Sequence, residues 1–119
     1  MYVVRRPVLY SRDELLMVMD AELNVTEFAD YCPNGLQLEG CDSIGKVVSA
    51  VTASLNAINY AVSVEADMLL VHHGYFWKGE APSLVGMKYR RIKALMDGSI
   101  NLVAYHLPLD AHATLGNNA

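Results

Sequence analysis

The sequence predicts an α/β domain: a mixed, largely parallel sheet with flanking helices. Two apolar runs, residues 68–71 and 100–105, have the length of buried strands and are too short for most helices. A third run rich in β-branched residues, 46–53, precedes them, and stretches with helical spacing separate the three, giving a β-α-β-α-β order. Each later run ends in histidine: Leu70-Val71-His72-His73-Gly74 and Tyr105-His106-Leu107-Pro108-Leu109-Asp110-Ala111-His112. All four histidines of the chain therefore follow predicted strands, where open α/β sheets place their ligand sites.

The bulk properties narrow the classes. A length of 119 residues allows one domain with a real core, and 53% hydrophobic against 18% charged residues describes a globular chain. A net charge of −4 argues against a general electrostatic grip on nucleic acid. The one basic stretch, Lys88-Tyr89-Arg90-Arg91-Ile92-Lys93, reads first as the solvated face of a helix. Cys32 and Cys41 make neither a disulfide framework nor a Cys-x-x-Cys zinc knuckle, so they read as reduced thiols of a cytoplasmic protein. No apolar run approaches the ~20 residues that span a bilayer.

Along the chain, residues 1–7 read as an irregular lead-in. Ser11 and Glu14 have capping-box spacing, which predicts a helix over residues 11–22 with Leu15, Leu16, Val18, Met19 and Leu23 on its apolar face. Asn24 or Thr26 ends it. Pro33-Asn34-Gly35 marks a turn, and Leu36 and Leu38 alternate with Gln37 and Glu39 as in a half-exposed edge strand. Ser54 caps a helix whose buried stripe is expected at Leu55, Ile58, Val62, Ala61 and Ala66. Residues 46–71 then form a βαβ unit, and a right-handed crossover makes its strands parallel. Residues 88–97 predict another amphipathic helix, with Tyr89, Ile92, Leu95 and Met96 inward and Gly98 as its stop. Gly116-Asn117-Asn118 reads as a loop leading to a further helix.

Adjacent histidines on a regular strand point to opposite faces, but at a strand end before Gly74 both imidazoles can face one cleft. Neutral imidazole is the commonest protein ligand of transition metals. Two neighbouring imidazoles take two ions more readily than they share one. A carboxylate such as Asp110 can bridge ions about 3.5–4 Å apart. The plainer reading makes His72 and His73 strand-end side chains bonded to backbone. His106, presented by the turn at Pro108, is compatible with a ligand, a general base or an orienting group. His112 carries a weaker signal and reads as exposed. Tyr75, Phe76 and Trp77 read as packing or an oligomer contact, or alternatively as an aromatic wall for a heterocycle with Lys78 beside it for phosphate.

Three segments carry a resemblance. Asp30-Tyr-Cys-Pro-Asn-Gly-Leu-Gln-Leu-Glu-Gly40, Ala66-Asp-Met-Leu-Leu-Val-His-His-Gly-Tyr-Phe-Trp-Lys-Gly-Glu80 and Tyr105-His-Leu-Pro-Leu-Asp-Ala-His112 resemble the GTP cyclohydrolase 1 type 2 homologs. These are also called the Ngg-interacting-factor-three-like family, here in its short bacterial form. The resemblance runs from about Leu15 to Ala119. It implies a cytoplasmic toroidal homohexamer and a dinuclear site of two divalent ions per subunit in the full-length form, with Zn, Fe, Mn and Ni not distinguished. By motif, His72 and His73 would each bind a different ion and Asp110 would bind one of them, with His106 near the site and without a clear ligand role; in a hydrolase His106 would serve as the proton shuttle. The family's other ligands, a His and a Glu four residues apart on a C-terminal helix, have no counterpart here. The chain thus resembles the N-terminal part of a longer two-part chain, whose absence would leave apolar surface exposed. The implied function is metal-dependent hydrolysis of a nucleotide or heterocycle. The alternative is a non-catalytic metal-binding ring that interacts with protein or nucleic acid.

Overall fold

The computed structural model describes residues 2–116, which form one five-stranded mixed sheet with helices on both faces. In chain order the strands are β1 (Tyr2–Ser11), β2 (Gly35–Leu38), β3 (Ser43–Thr52), β4 (Met68–His73) and β5 (Asn101–Ala104). The helices are α1 (Arg12–Leu23), α2 (Leu55–Ser63), α3 (Gly86–Asp97) and the short α4 (Leu107–Asp110). The sheet order is β1-β3-β4-β5-β2. The centre, β3-β4-β5, is parallel, and the two outer strands run antiparallel to their neighbours. The predicted mixed α/β sheet is therefore present, with its parallel βαβ units in the middle.

Alternation along the central strands builds a core on each face. Leu69 and Val71 of β4, with Leu102 and Ala104 of β5, pack under α2 and α3 against Ile58, Ala61, Ile92 and Leu95. Met68 of β4, Val103 of β5 and the adjoining Tyr105 turn the other way, toward Leu15, Leu16, Met19 and Leu23 of α1. Ser11 caps α1 by accepting the Glu14 N–H, and Asn24, at φ 52°, ends it in the left-handed conformation. Ser54 caps α2 through the Ala57 N–H, and Gly98 ends α3.

Some expectations differ from the structure. The irregular lead-in expected over residues 1–7 is instead, from Tyr2 on, part of the edge strand β1, paired with β3 across a register shift between Arg5 and Tyr10. Val18, Leu55, Val62, Tyr89 and Met96 are exposed, not inward. In α2 the buried positions are Ala57, Ile58 and Ala61, because small residues let the helix sit close to the sheet. Of the loop expected at Gly116-Asn117-Asn118, residues 117–118 lie outside the described residues. In the basic stretch on α3, Arg90 and Lys93 are exposed as expected of a solvated face, and its two lysines pair with acids: Lys88 bonds Glu80 at 2.8 Å and Lys93 bonds Asp97 at 2.7 Å. Among the described residues no helix is long and apolar enough to cross a membrane.

A polar knot closes the N-terminal end of the parallel strands. Asn101 is fully buried; its side chain accepts the Gly40 N–H at 2.7 Å and donates to Cys41 O at 2.8 Å and Asp67 O at 3.0 Å. Asp67 in turn accepts the N–H groups of Gly45 and Lys46. Truncating Asn101 leaves the Gly40 N–H and the Cys41 carbonyl without their partner, while Asp67 O keeps the Asn101 N–H. Asn101→Ala should therefore lose about 2–4 kcal/mol of stability in urea unfolding, whereas Lys93→Ala, in an exposed pair, should leave the midpoint unchanged.

Candidate metal centre

β4 and β5 run parallel in the register Val71↔Ala104, so their C-terminal ends coincide. His72 and His73 close β4, and His106 follows β5 by two residues. The imidazole centroids lie 4.4 Å apart for His72–His73, 5.0 Å for His72–His106 and 5.5 Å for His73–His106. One ring nitrogen from each falls within 4.8 Å of the other two. Gly74 matters here for space: a Cβ on it would run into the Gln37 amide and Ala104 Cβ. That Gln37 amide accepts the Tyr75 N–H at 2.8 Å and donates to Tyr75 O at 3.1 Å, clamping the chain as it leaves the histidines.

The environment sets what each ring offers. His72 Nδ1 lies 2.9 Å from the Tyr105 carbonyl, which can only accept, so Nδ1 carries the proton. The other nitrogen, Nε2, lies 3.4 Å from Asp110 Oδ1. His73 pairs in register with Thr52, whose Oγ1 is 3.5 Å from its Nδ1. Burial lowers the His73 pKa, and His72 and His106 lower it further against the opposing pull of Asp110. His73 is thereby held toward its neutral, ligand-competent form. His106 meets Trp77 edge to face, with centroids 4.9 Å apart and planes at 87°, while its Nδ1 is 2.9 Å from Asp30 Oδ1.

Asp30 is nearly enclosed, with its side chain 2% exposed. Burial by itself raises its pKa. Hydrogen bonds from His106, from the Asn34 amide and from the Leu107 and Tyr31 N–H groups outweigh that and bring it down to about 2. Asp30, Cys32 and His106 also bring donor atoms within 4.8 Å of one another. This second group is poorly suited to an ion: both Asp30 oxygens are occupied by donors, and burial with the Asp30 charge raises the Cys32 thiol to about 11.

Of the residues singled out by sequence, the structure gathers His72, His73 and His106 and sets Asp110 against His72. His112 is not the freely exposed side chain expected: its Nε2 bonds Glu22 at 2.9 Å and its Nδ1 accepts the Thr114 and Leu115 N–H groups, which fixes the turn after α4. Tyr75 is buried packing, its hydroxyl donating to Ala53 O. Trp77 alone of the aromatic trio touches the histidines, at 4.9 Å from His106 and 6.0 Å from His73. Lys78 is tied to the loop before β2, its backbone N–H donating to Tyr31 O. Sequence reasoning missed Asp30 and Thr52, which contact the rings, and Asn34, which accepts the His106 backbone N–H. The available signal was Asp30 and Asn34 flanking a turn, where short polar side chains bond nearby backbone.

A depressed carboxyl pKa is a stability statement. The Asp30 contribution is complete above its unfolded value near 4 and is lost as pH falls through about 2. Between roughly pH 4 and 2 the chain should lose about 2 kcal/mol from this group. Acid unfolding followed by circular dichroism should show that steepness in the wild type and a shallower slope in Asp30→Asn.

The family model of Duf34/NIF3 (NGG1p interacting factor 3) matches residues 10–119. The GTP cyclohydrolase 1 type 2 homolog of Haemophilus influenzae is 56% identical over 106 residues, covering 89% of this chain and 42% of that protein. The Escherichia coli K12 protein of the same name is 52% identical, covering 89% of this chain and 43% of that protein. Among solved structures, protein ybgI, described as of unknown function, superposes with a TM-score of 0.91 at 50% identity, over 92% of this chain and 44% of its own. TTHA1606 from Thermus thermophilus gives 0.86 at 46% identity, over 91% and 45%. The chain thus spans less than half the length of the curated relatives it matches. With the match covering nearly all of its residues, the chain belongs to the Duf34/NIF3 (NGG1p interacting factor 3) family.

Proposed function

We propose that this chain is the metal-holding part of a divalent-metal-dependent hydrolase acting on a nucleotide or similar heterocycle. The observation that carries the reading is the convergence of His72, His73 and His106 beside Asp110 at the C-terminal ends of adjacent parallel strands. The donor set fits a transition ion: imidazole nitrogens with a carboxylate suit zinc, iron, manganese or nickel. His72 Nε2 and Asp110 Oδ1 also face one another at 3.4 Å with the His72 proton on the far nitrogen. In this reading His72 and His73 hold different ions of a pair and Asp110 binds one of them. Further ligands come from the portion of the relatives that this chain does not cover, and the working form is a cytoplasmic homohexamer.

The metal, when bound, supplies Lewis-acid polarisation and a water of lowered pKa. The residues of this chain supply the rest. The Tyr105 carbonyl and Thr52 hold the first two rings from outside the cluster. His106 accepts a proton from the attacking water and returns it to the leaving group. Trp77 walls one side of His106 and offers a face to a planar substrate.

Trp77 is the only tryptophan of the chain, so its fluorescence reports the centre directly. Co2+ or Ni2+ should quench it, a chelator should restore it, and His73→Ala should weaken the response at least tenfold. A wild-type signal indifferent to these ions would overturn the reading. GTP, named in the relatives' description, is the first substrate to test in a full-length form, where metal-dependent consumption should vanish in Asp110→Ala. Metal binding without turnover of any nucleotide would favour the non-catalytic ring.

A further inference from the structure

The segment around Pro33-Asn34-Gly35 is used by neither core, yet it reaches the histidines. Asp30 Oδ1 meets His106 Nδ1 at 2.9 Å. Asp30 Oδ2 accepts the Leu107 N–H at 2.9 Å and the Asn34 side-chain amide at 3.0 Å. The Asn34 carbonyl oxygen in turn accepts the His106 N–H at 2.7 Å. The loop before β2 is thus tied to both the backbone and the ring of the one histidine that β5 delivers. The Tyr31 N–H completes the set on Oδ1 at 2.6 Å.

From this network we infer that Asp30, seated by Asn34, is the positioning residue of His106, fixing its ring with Nδ1 protonated and Nε2 presented to His72 and His73. A carboxylate bonded by this many donors can only accept, so the proton between it and His106 belongs to the imidazole. The ring's single lone pair is then on Nε2, the nitrogen left for the cluster. Trp77 bounds the ring from another side, edge to face at 4.9 Å, which restrains rotation about the Asp30 bond. The same outer-nitrogen device acts at His72, where a backbone carbonyl serves. A backbone carbonyl comes with the fold, whereas the His106 position depends on a side chain that substitution can remove. Carboxylate partners of this kind fix tautomer and ring orientation in both metal-ligating and proton-transferring histidines. The inference rests on the proposed centre for its purpose, but its geometry stands without a metal.

The test reads tautomers. In metal-free wild-type protein, at a pH where the imidazoles are neutral, long-range 1H–15N correlation spectra should show His106 as the Nδ1–H form, with that proton shifted downfield by its carboxylate partner. In Asp30→Ala, His106 should move to the Nε2–H form or a mixture, while His72, held by the Tyr105 carbonyl, keeps its Nδ1 proton. A wild-type His106 that is Nε2–H or averaged would overturn the proposal, as would a folded Asp30→Ala variant that retains Nδ1–H. If Asp30→Ala does not fold, the wild-type spectrum decides alone: the downfield Nδ1 proton supports the proposal and its absence sinks it. Co2+ quenching of Trp77 on the same samples tests the metal centre separately. Failure to bind with the tautomer intact would refute the proposed function and leave the positioning role, and the converse result would do the reverse.

Discussion

Everything at the candidate centre depends on β4 and β5 being parallel neighbours in a fixed register. Because Val71 stands opposite Ala104, the chain leaves both strands at the same end of the sheet, and His72, His73 and His106 arrive together from positions more than 30 residues apart. A slip of one residue would reverse the alternation along a strand. It would turn Leu69 and Val71 from the α2 and α3 core toward α1, and exchange the faces of His72 and His73. Core and centre are therefore specified by the same constraint. The buried faces of β4 and β5 hold the histidines in place because moving them would expose the core.

The two ends of the parallel strands treat polar groups in opposite ways. At the N-terminal end, Asn101, Asp67 and the backbone of residues 40–46 satisfy one another. Arg12 joins from α1, its guanidinium reaching Gly40 O and the carboxylates of Asp13, Glu39 and Asp42. That end is a closed clamp. At the C-terminal end Nδ1 of His72 and of His106 are engaged, while the three rings gather with one nitrogen of each within 4.8 Å of the others. One of these rings, His73, has its pKa pulled down by burial and further by its two neighbours. The gathered imidazoles and the neighbouring Asp110 make this end of the sheet the candidate site.

How much of this was legible in the sequence follows from how local each signal is. The β3-α2-β4-α3-β5 core could be read from short apolar runs, the Ser54 cap and the Gly98 stop, all of which act within a few residues. The strand-end histidines and Asp110 could be read for the same reason. β1 could not: two arginines and Pro7 break its alternation, and its strand state comes from pairing with β3, more than 30 residues away. An edge strand tolerates such residues because one side of its backbone needs no partner. The helical stripes were found, but their phase was off by a residue or more at Leu55, Val62 and Tyr89, since periodicity gives spacing and the close approach of Ala57 and Ala61 sets rotation. Asp30 was hidden for a different reason. Its partner is 76 residues on, and a carboxylate in a turn looks the same whether it bonds its own loop or a distant imidazole.

The distribution of work between loop and strand explains why the turn before β2 carries so specific a composition. Gly35, at φ 100°, lets the chain reverse into the edge strand with no side-chain penalty. Asn34 uses both ends of its amide at once, one on Asp30 and one on the His106 backbone. Gln37, three residues on, does the same with both backbone groups of Tyr75. One short segment thus fixes the exits of β4 and β5 together, the two points where the chain passes from sheet to histidine. A rigid sheet can deliver side chains to a common edge, but it cannot choose which way an imidazole faces once the strand has ended. That choice is made here by amides and a carboxylate from the edge-strand turn, which makes the turn part of the centre.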